Sequence, residues 1–499
     1  MQTEQRYIWT ERVVLFISAF LCILLFVQDR SLLLDSLNVA RNIGERSFVA
    51  LINPLNYEQS APLLFLWISK LITSFLGISQ YTLRILPLIA GISSLFLFTQ
   101  ISKKLLRSPF YILALFWFGT HQLVTRYSTE YKQYMVDVFA TLLIIWVVLK
   151  IKEINKENLW KLTLGGVILI WLSMPSMFVL ISAMIYLALV QHQRKKPISP
   201  ILLSTIIIGI SFLVNYWIML SPTIGSEHMQ NFHNGFFLQG NIFNLDSVSH
   251  DFGLIVGQAR MLVGKSGLAI GAVLLSIIIS IVISVKQKKY ELVLIVMPII
   301  GAFAASLLAK YSILERLMLF SLPLSILLVM VGVEYVYRKA SMQKAYFPKV
   351  VLGIITLGLL VGFYEKQSFK YIFEPFEHED NRSSLLYISD HPEKGREIIC
   401  SQHALPAYDY YTQYDFNYKE MKVGSSIMTD YNTDLTALAL AKLDHSEKIW
   451  ILANHYQEED IEKLISNLDN KAIIENSYRA KSSVAIIISK KVSPQRGEE

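Results

Sequence analysis

Apolar residues gather in runs of near-spanning length, separated by charged clusters, at roughly 13–28, 83–101, 109–125, 134–151, 162–174, 175–191, 200–220, 266–285, 291–309, 315–335 and 348–364. A helix that crosses a bilayer needs about 20 residues, range about 17–25, and its backbone amides must be paired within the segment. The pattern predicts an α-helical polytopic membrane protein with about eleven transmembrane helices. Pro175 divides the stretch 162–191 into two spans, because proline lacks the amide that a helix interior requires. Arg6 and Arg12 precede the first run, but Asp29, Arg30 and a long loop follow it without a small-residue cleavage site. It therefore reads as a retained anchor, not a signal peptide.

The segment APLLFLWISKLITSFLG at 61–77 is short and carries Lys70 near its middle, where a lysine costs about 2.5–3.5 kcal/mol on insertion scales. Read as an interfacial helix within a first outer loop, about residues 29–82, it leaves the basic clusters at 103–107, 150–161, 194–196, 286–289 and 338–349 on one side with the N-terminus. Read as a span, it moves all of them outside, against the positive-inside bias. The N-terminus is therefore expected in the cytoplasm. The expected domains are 1–365, transmembrane and catalytic, with outer loops at 29–82 and 126–133, and 366–499, extracytoplasmic and soluble. In the latter, strand-like runs at 397–400, 448–453 and 484–489 alternate with helix-like runs at 433–443 and 458–468, an α/β pattern. The charged tail PQRGEE at 494–499 is expected to fray.

Composition agrees: 53% of residues are hydrophobic and 17% charged, against roughly 45–50% and about 25% in soluble domains. So few charges exclude a disordered chain, a fibre and an ordinary cytosolic enzyme. The net charge of +7 would suggest nucleic acid, but the lysines and arginines lie mostly between apolar runs and mark topology. No nucleic-acid partner is expected; the bilayer is. Cys22 and Cys400 support neither a disulfide framework nor a cysteine metal site.

Ionisable groups at the hydrocarbon boundary must face protein, water or ligand, and three clusters qualify, all on the outer side. In DRSLLLDSLNVARNI, 29–43, Asp35 sits among leucines on an amphipathic helix and could serve as a base; a surface acid beside an anchor is the plainer alternative. In PLNYEQSAPL, 54–63, Pro54 and Pro62 stiffen a loop that could aim Glu58, next to Tyr57, inward; taken alone, the segment is better explained as a plain connector. In RYSTEYKQYMVD, 126–137, Arg126, Glu130, Tyr134 and Asp137 would share one helical face while Lys132 points elsewhere. A salt-bridged helix entry explains Arg126 and Glu130 but not Tyr134 or Asp137. Arg84 and Arg316, at the mouths of two spans, suit a phosphate or act as interface anchors. His228 and His233 are five apart, out of line for ligands on one helix face, and with His250 they make no metal site.

With these residues in view, the chain resembles the GT-C polytopic glycosyltransferases related to the protein O-mannosyltransferases and the lipid A aminoarabinose transferase, specifically bacterial relatives of glycosyltransferase family 39. The resemblance rests on SLLLDSLNVARNI, ERSF, PLNYEQSAPLLFLWISKL, ISQYTLRILPLIAGI and YSTEYKQYMVD, then more thinly on RLMLFSLPL. It implies transfer of a sugar from a polyprenyl-phosphate donor to a glycolipid, glycan or protein hydroxyl at the extracytoplasmic face. Asp35 matches the acid near the reacting centre and Glu58 the acid before the interfacial helix. Glu130, Lys132, Tyr134 and Asp137 match the second-loop signature.

Two positions depart from the family pattern: Ser36 stands where a second acid is frequent, and Gln59 where relatives carry a lysine for the donor phosphate. Lys132 or Arg316, with Arg84, would then supply the cation. The resemblance implies no nucleotide cofactor, and leaves a divalent cation among the species that Glu58 and Glu130 could orient. Two alternatives use similar residues. A transporter or lipid flippase would place its acids near the midplane of two repeated halves, whereas these gather at one face and no repeat is evident. A lipid-linked oligosaccharide ligase or polymerase would work on the same outer face.

Overall fold

Apolar runs whose amides lipid would leave unpaired fold as α-helices in a computed structural model, which describes residues 2–224, 227–342, 346–374, 376–414, 422–423 and 434–491. In chain order the helices are α1 (Gln2–Val27), α2 (Leu34–Glu45), α3 (Leu63–Leu76), α4 (Gln80–Leu105), α5 (Phe110–Gly119), α6 (Gln122–Tyr127), α7 (Tyr134–Lys150), α8 (Lys156–Leu172), α9 (Ser176–Gln193) and α10 (Ser199–Asn215). They continue with α11 (Ser221–Ile224), α12 (Glu227–Asn234), α13 (Leu245–Val263), α14 (Gly267–Gln287), α15 (Val293–Leu307), α16 (Leu322–Met342) and α17 (Tyr346–Lys366). The last part adds α18 (Asn381–Asp390), β1 (Glu397–Cys400), α19 (Leu405–Tyr414), β2 (Lys422–Val423), α20 (Leu435–Leu443), β3 (Lys448–Asn454), α21 (Glu458–Asp469), β4 (Ile473–Ala480) and β5 (Ser483–Ser489). The tail at 494–499 lies outside the described residues.

Eight helices among the described residues are long and apolar enough to cross a membrane: Gln5–Val27, Gln80–Leu105, Ser176–Gln193, Ser199–Leu220, Gly267–Gln287, Tyr290–Leu307, Leu317–Met342 and Tyr346–Lys366. The other three of the eleven expected spans are shorter. Runs 134–151 and 162–174 become α7 and α8, of 17 residues each, about 25 Å at 1.5 Å per residue. Run 109–125 breaks into α5 and α6 because His121 leaves the helical conformation to cap α6, its Nδ1 accepting from Leu123 N at 3.2 Å. The break at Pro175 between α8 and α9 is as expected. α3, at 14 residues, is too short to span.

The chain forms two compact units: Met1–Val27, Phe48–Ser69 and Arg84–Pro375 in one, Gln28–Ser47, Lys70–Leu83 and Phe376–Glu499 in the other. In the first, one end collects the basic clusters. Glu11 pairs with Lys103 and accepts from Tyr111 Oη at 3.1 Å. Glu334 accepts from the Arg107 amide at 3.1 Å and pairs with Arg338 at 3.0 Å. Lys104 bonds the Leu149 carbonyl, and Arg194 the Lys152 carbonyl. The start of α1, the ends of α4, α7, α9 and α16, and the start of α5 thus share an end; the stretch from Arg126 to Asp137, at the other end of α7, stands away from it.

The second unit holds a five-stranded sheet of order β2-β1-β3-β5-β4, parallel across β2, β1 and β3 and antiparallel across β3, β5 and β4. Alternation along β1, β3 and β5 sends Ile399, Ile451 and Ile486 to one face, under Leu443 of α20 and Leu464 of α21. Trp450, with Ile398, Leu452 and Ile487, faces the other way and meets Tyr387 of α18.

Candidate active site

The second-loop cluster begins at Ser128 and Thr129. Ser128 Oγ donates to the Val124 carbonyl at 2.6 Å and Thr129 Oγ1 to the Arg126 carbonyl at 3.1 Å. Residues 128–133 run as turns between α6 and α7. This corrects the expectation that Arg126, Glu130, Tyr134 and Asp137 share one helical face: only Tyr134 and Asp137 share a helix, on the first turn of α7.

The turns are buried. Glu130 is 2% exposed and Lys132 6%. Lys132 reaches out of the loop: its Nζ donates to Gln59 Oε1 at 2.8 Å, while Gln59 Nε2 donates to the Tyr57 carbonyl at 3.1 Å. The Pro54–Pro62 loop and the second loop therefore meet at an ammonium–amide contact, fastened beside it by Phe65 of α3 stacked on Tyr131 at 5.6 Å. Tyr57 and Glu58 both have left-handed backbones, φ 62° and 52°, uncommon for residues with a Cβ and a feature that concentrates at functional sites. Glu58 is exposed.

Tyr127 gathers the remaining charges: Arg126, Glu130, Glu315 and Arg316 all act on its phenol. Arg126 lies over its ring at 5.1 Å, and Tyr134 meets it edge-on at 5.3 Å. Arg316 lies over Phe232 at 5.7 Å. Asp137 is buried, faces Ser173 and the backbone at Met174 from the end of α8, and acts on Tyr311, as does Tyr134. Asp137 Oδ1, Thr141 Oγ1 and Ser173 Oγ are buried with no hydrogen-bond partner among the described residues, an arrangement that fits water or ligand oxygens. Arg84, on α4, is 1% exposed, so it is not a snorkelling anchor. No group of His, Cys, Asp and Glu among the described residues is arranged to hold a metal. His233 is described, and the side chain of His228 lies outside the described residues.

Asp35 belongs to the second unit, in the first turn of α2, whose Leu37, Val39, Ala40 and Ile43 are buried. This is the amphipathic helix the leucine pattern predicts. Arg41 pairs with Asp409 of α19 at 2.8 Å, and Lys70 Nζ donates to the Ile43 carbonyl at 2.7 Å. The partners that sequence reasoning missed are Tyr127 and Tyr311. Tyr127 lies inside the recognised motif; the contact of Gln59 is made 73 residues away, which no local pattern reveals.

No protein-family model matches the sequence, and no curated protein matches it. Among solved structures, the chain is similar to the archaeal oligosaccharyltransferase AglB from Archaeoglobus fulgidus, in complex with an inhibitory peptide and a dolichol-phosphate, at 11% identity over 97% of this chain and 75% of that one, with a TM-score of 0.50. ArnT from Cupriavidus metallidurans in the apo state aligns at 10% identity over 95% of this chain and 97% of that one, TM-score 0.49. ArnT bound to undecaprenyl phosphate aligns over 100% and 99% at 10% identity, TM-score 0.46. The fold shared with AglB over nearly the whole chain, together with eight apolar helices and a small C-terminal sheet, makes this a polytopic membrane protein of the GT-C fold.

Proposed function

We propose that the protein is a membrane glycosyltransferase that moves a sugar from a polyprenyl-phosphate donor to an acceptor hydroxyl at the extracytoplasmic face, with inversion. The observation that carries this reading is the contact of Lys132 with Gln59: a buried ammonium stands at the position where the resembled family carries a lysine for the donor phosphate. The dolichol-phosphate in the AglB complex agrees with it.

In this reading residues 1–365 form the catalytic domain and 366–499 an extracytoplasmic one, with the N-terminus cytoplasmic. Asp35 takes the proton of the acceptor hydroxyl as that oxygen bonds the anomeric carbon from the side opposite the phosphate. The bond from anomeric carbon to phosphate oxygen breaks, and its electron pair leaves with the polyprenyl phosphate. Lys132, Arg316 and Arg84 stabilise the charge growing there. Tyr57, Glu58, Glu130, Tyr134 and Asp137 orient sugar, acceptor or a divalent ion. The phosphate is already an activated leaving group, so no nucleotide is required.

The test is transfer by the purified protein from a panel of polyprenyl-phosphate sugars and lipid-linked oligosaccharides, alongside Asp35→Asn. Transfer from monosaccharide donors, reduced about 10²-fold or more in the variant, is expected. Undiminished turnover in Asp35→Asn removes that residue from the base role. Transfer from oligosaccharide donors alone moves the protein to the ligase class, and lipid translocation without transfer moves it to the transporters.

A further inference from the structure

Leu33, the residue before α2, offers no side-chain cap, so the sequence leaves the first amides of the Asp35 helix without a local partner. The partner comes from 345 residues away: Glu379 Oε2 accepts from Leu34 N at 3.1 Å. Its other oxygen, Oε1, is 2.6 Å from His455 Nδ1. The Glu379 side chain is 5% exposed and that of His455 49%.

The place is set by sheet topology. The chain leaves β1 for β2 on one side and returns to β3 on the other, and at such a reversal the crevice beyond the carboxyl ends of the strands is where α/β sheets put their polar chemistry. His455 follows β3 directly, with a left-handed φ of 64°, and His403 lies just beyond β1, its ring 5.1 Å from that of His455. Next to Glu379, Tyr411 Oη accepts from Leu32 N at 3.1 Å, Asn381 Nδ2 donates to Leu32 O at 3.3 Å, and Ser31 Oγ donates to Asp380 Oδ1 at 3.0 Å.

We propose that Glu379, clamped by His455, is the positioning residue for Asp35: it supplies from the C-terminal sheet the cap that the α2 sequence lacks, and so fixes where that carboxylate stands. The mechanical part is independent of the chemistry; the consequence for turnover rests on the glycosyl-transfer reading.

The charged groups facing the pair are Asp35 from α2, His378 beside Glu379, and His403 from the β1–α19 connection. The hydrogen bond to Glu379, and the charges of Glu379 and Asp35, raise His455 above its ordinary 6.5. Burial alone would raise Glu379, but the bond and charge of His455 and the Leu34 amide bring it below 4.5. The clamp is therefore complete from about pH 4.5 to 6.5. It weakens above, as His455 loses its proton through its raised folded value, and below, as Glu379 gains one through its lowered value.

Amide hydrogen exchange on the full-length protein in detergent tests this. Glu379→Ala is expected to speed exchange at Leu32, Leu34 and Leu37 about tenfold or more while the amides of β3 and β5 stay protected. In the wild type, protection of α2, corrected for intrinsic rates, should fall as pH rises above about 6.5, and His455→Asn should flatten that dependence. Unchanged α2 protection in Glu379→Ala overturns the proposal. Should that variant fail to fold, a His455→Asn profile that tracks the wild type overturns it instead. Where transfer is measured, Glu379→Ala should lower kcat with little change in donor KM. A protein with no transferase activity loses the functional reading, while the exchange result still decides the clamp.

Discussion

A buried lysine held by an amide is an economical way to present charge to an anion, and Lys132 with Gln59 is the contact most exposed to test. Lys132→Met is expected to lower kcat/KM about 10²–10³-fold, as removal of a group that stabilises developing charge does. Gln59→Leu keeps the ammonium but removes its 2.8 Å anchor, and about a tenfold loss is expected; equal turnover in both variants and wild type, measured on purified protein, would take the pair out of the donor site. Asp137 asks a different question, because its Oδ1 is buried without a partner among the described residues. Asn keeps the shape of the Asp137 side chain and an acceptor for Ser173 and the Met174 backbone while removing the carboxylate charge. Asp137→Asn should therefore keep its melting temperature and lose transfer if the carboxylate serves ligand, and a lowered melting temperature would mark it as structural. Local spacing made Glu130, Lys132 and Asp137 visible as a group, since charges beside an apolar run stand out. It left Glu379 and His455 invisible, because two ordinary polar residues gain meaning only from partners 345 and 76 residues distant.

Elements built on alternation were legible, whereas the turn at 128–133 was not. The strands expected at 397–400, 448–453 and 484–489 correspond to β1, β3 and β5, all inner strands of strong β-formers. β4 was not anticipated: it is an edge strand with a mostly exposed, polar sequence, Ile473–Ala480, recognisable chiefly by its pairing with β5. The continuous helix expected over 126–137 fails from Ser128 to Gln133, which run as turns. Gly91 of α4 makes room for that same serine, and a Cβ there would collide with Ser128 Oγ and Cβ. Gly91→Val should thus cost about 1–3 kcal/mol, in the range of overpacking, and displace the turn that carries Glu130 and Lys132. Thermal unfolding and transfer should fall together. A variant stable and fully active would show that the turn tolerates a shifted α4.

The whole molecule follows its charges more closely than its composition. Basic clusters far apart in sequence converge on one end of the first unit, through Glu11, Lys103, Glu334 and Arg338. Reporter fusions at 105, 155 and 195 should accordingly read as cytoplasmic and one at 365 as the opposite compartment; the reverse pattern would turn the proposed site inward. The compositional change near 366 lies close to Phe376, where the last segment of the second unit begins. The inclusion of Gln28–Ser47 and Lys70–Leu83 in that unit had no compositional trace, because their affinity for the sheet lies in single bonds such as Asp29 with Arg382 and Tyr411 with Gln80. The cap on α2 has a consequence for biosynthesis. Residues 31–34 leave the ribosome more than three hundred positions ahead of Glu379, Asn381 and Tyr411, so the nascent Asp35 segment must wait at the membrane surface, its amides hydrated or chaperoned, until translation has passed the last of them. A nascent chain arrested short of Glu379 would insert its helices and still lack the clamp on which its proposed base depends.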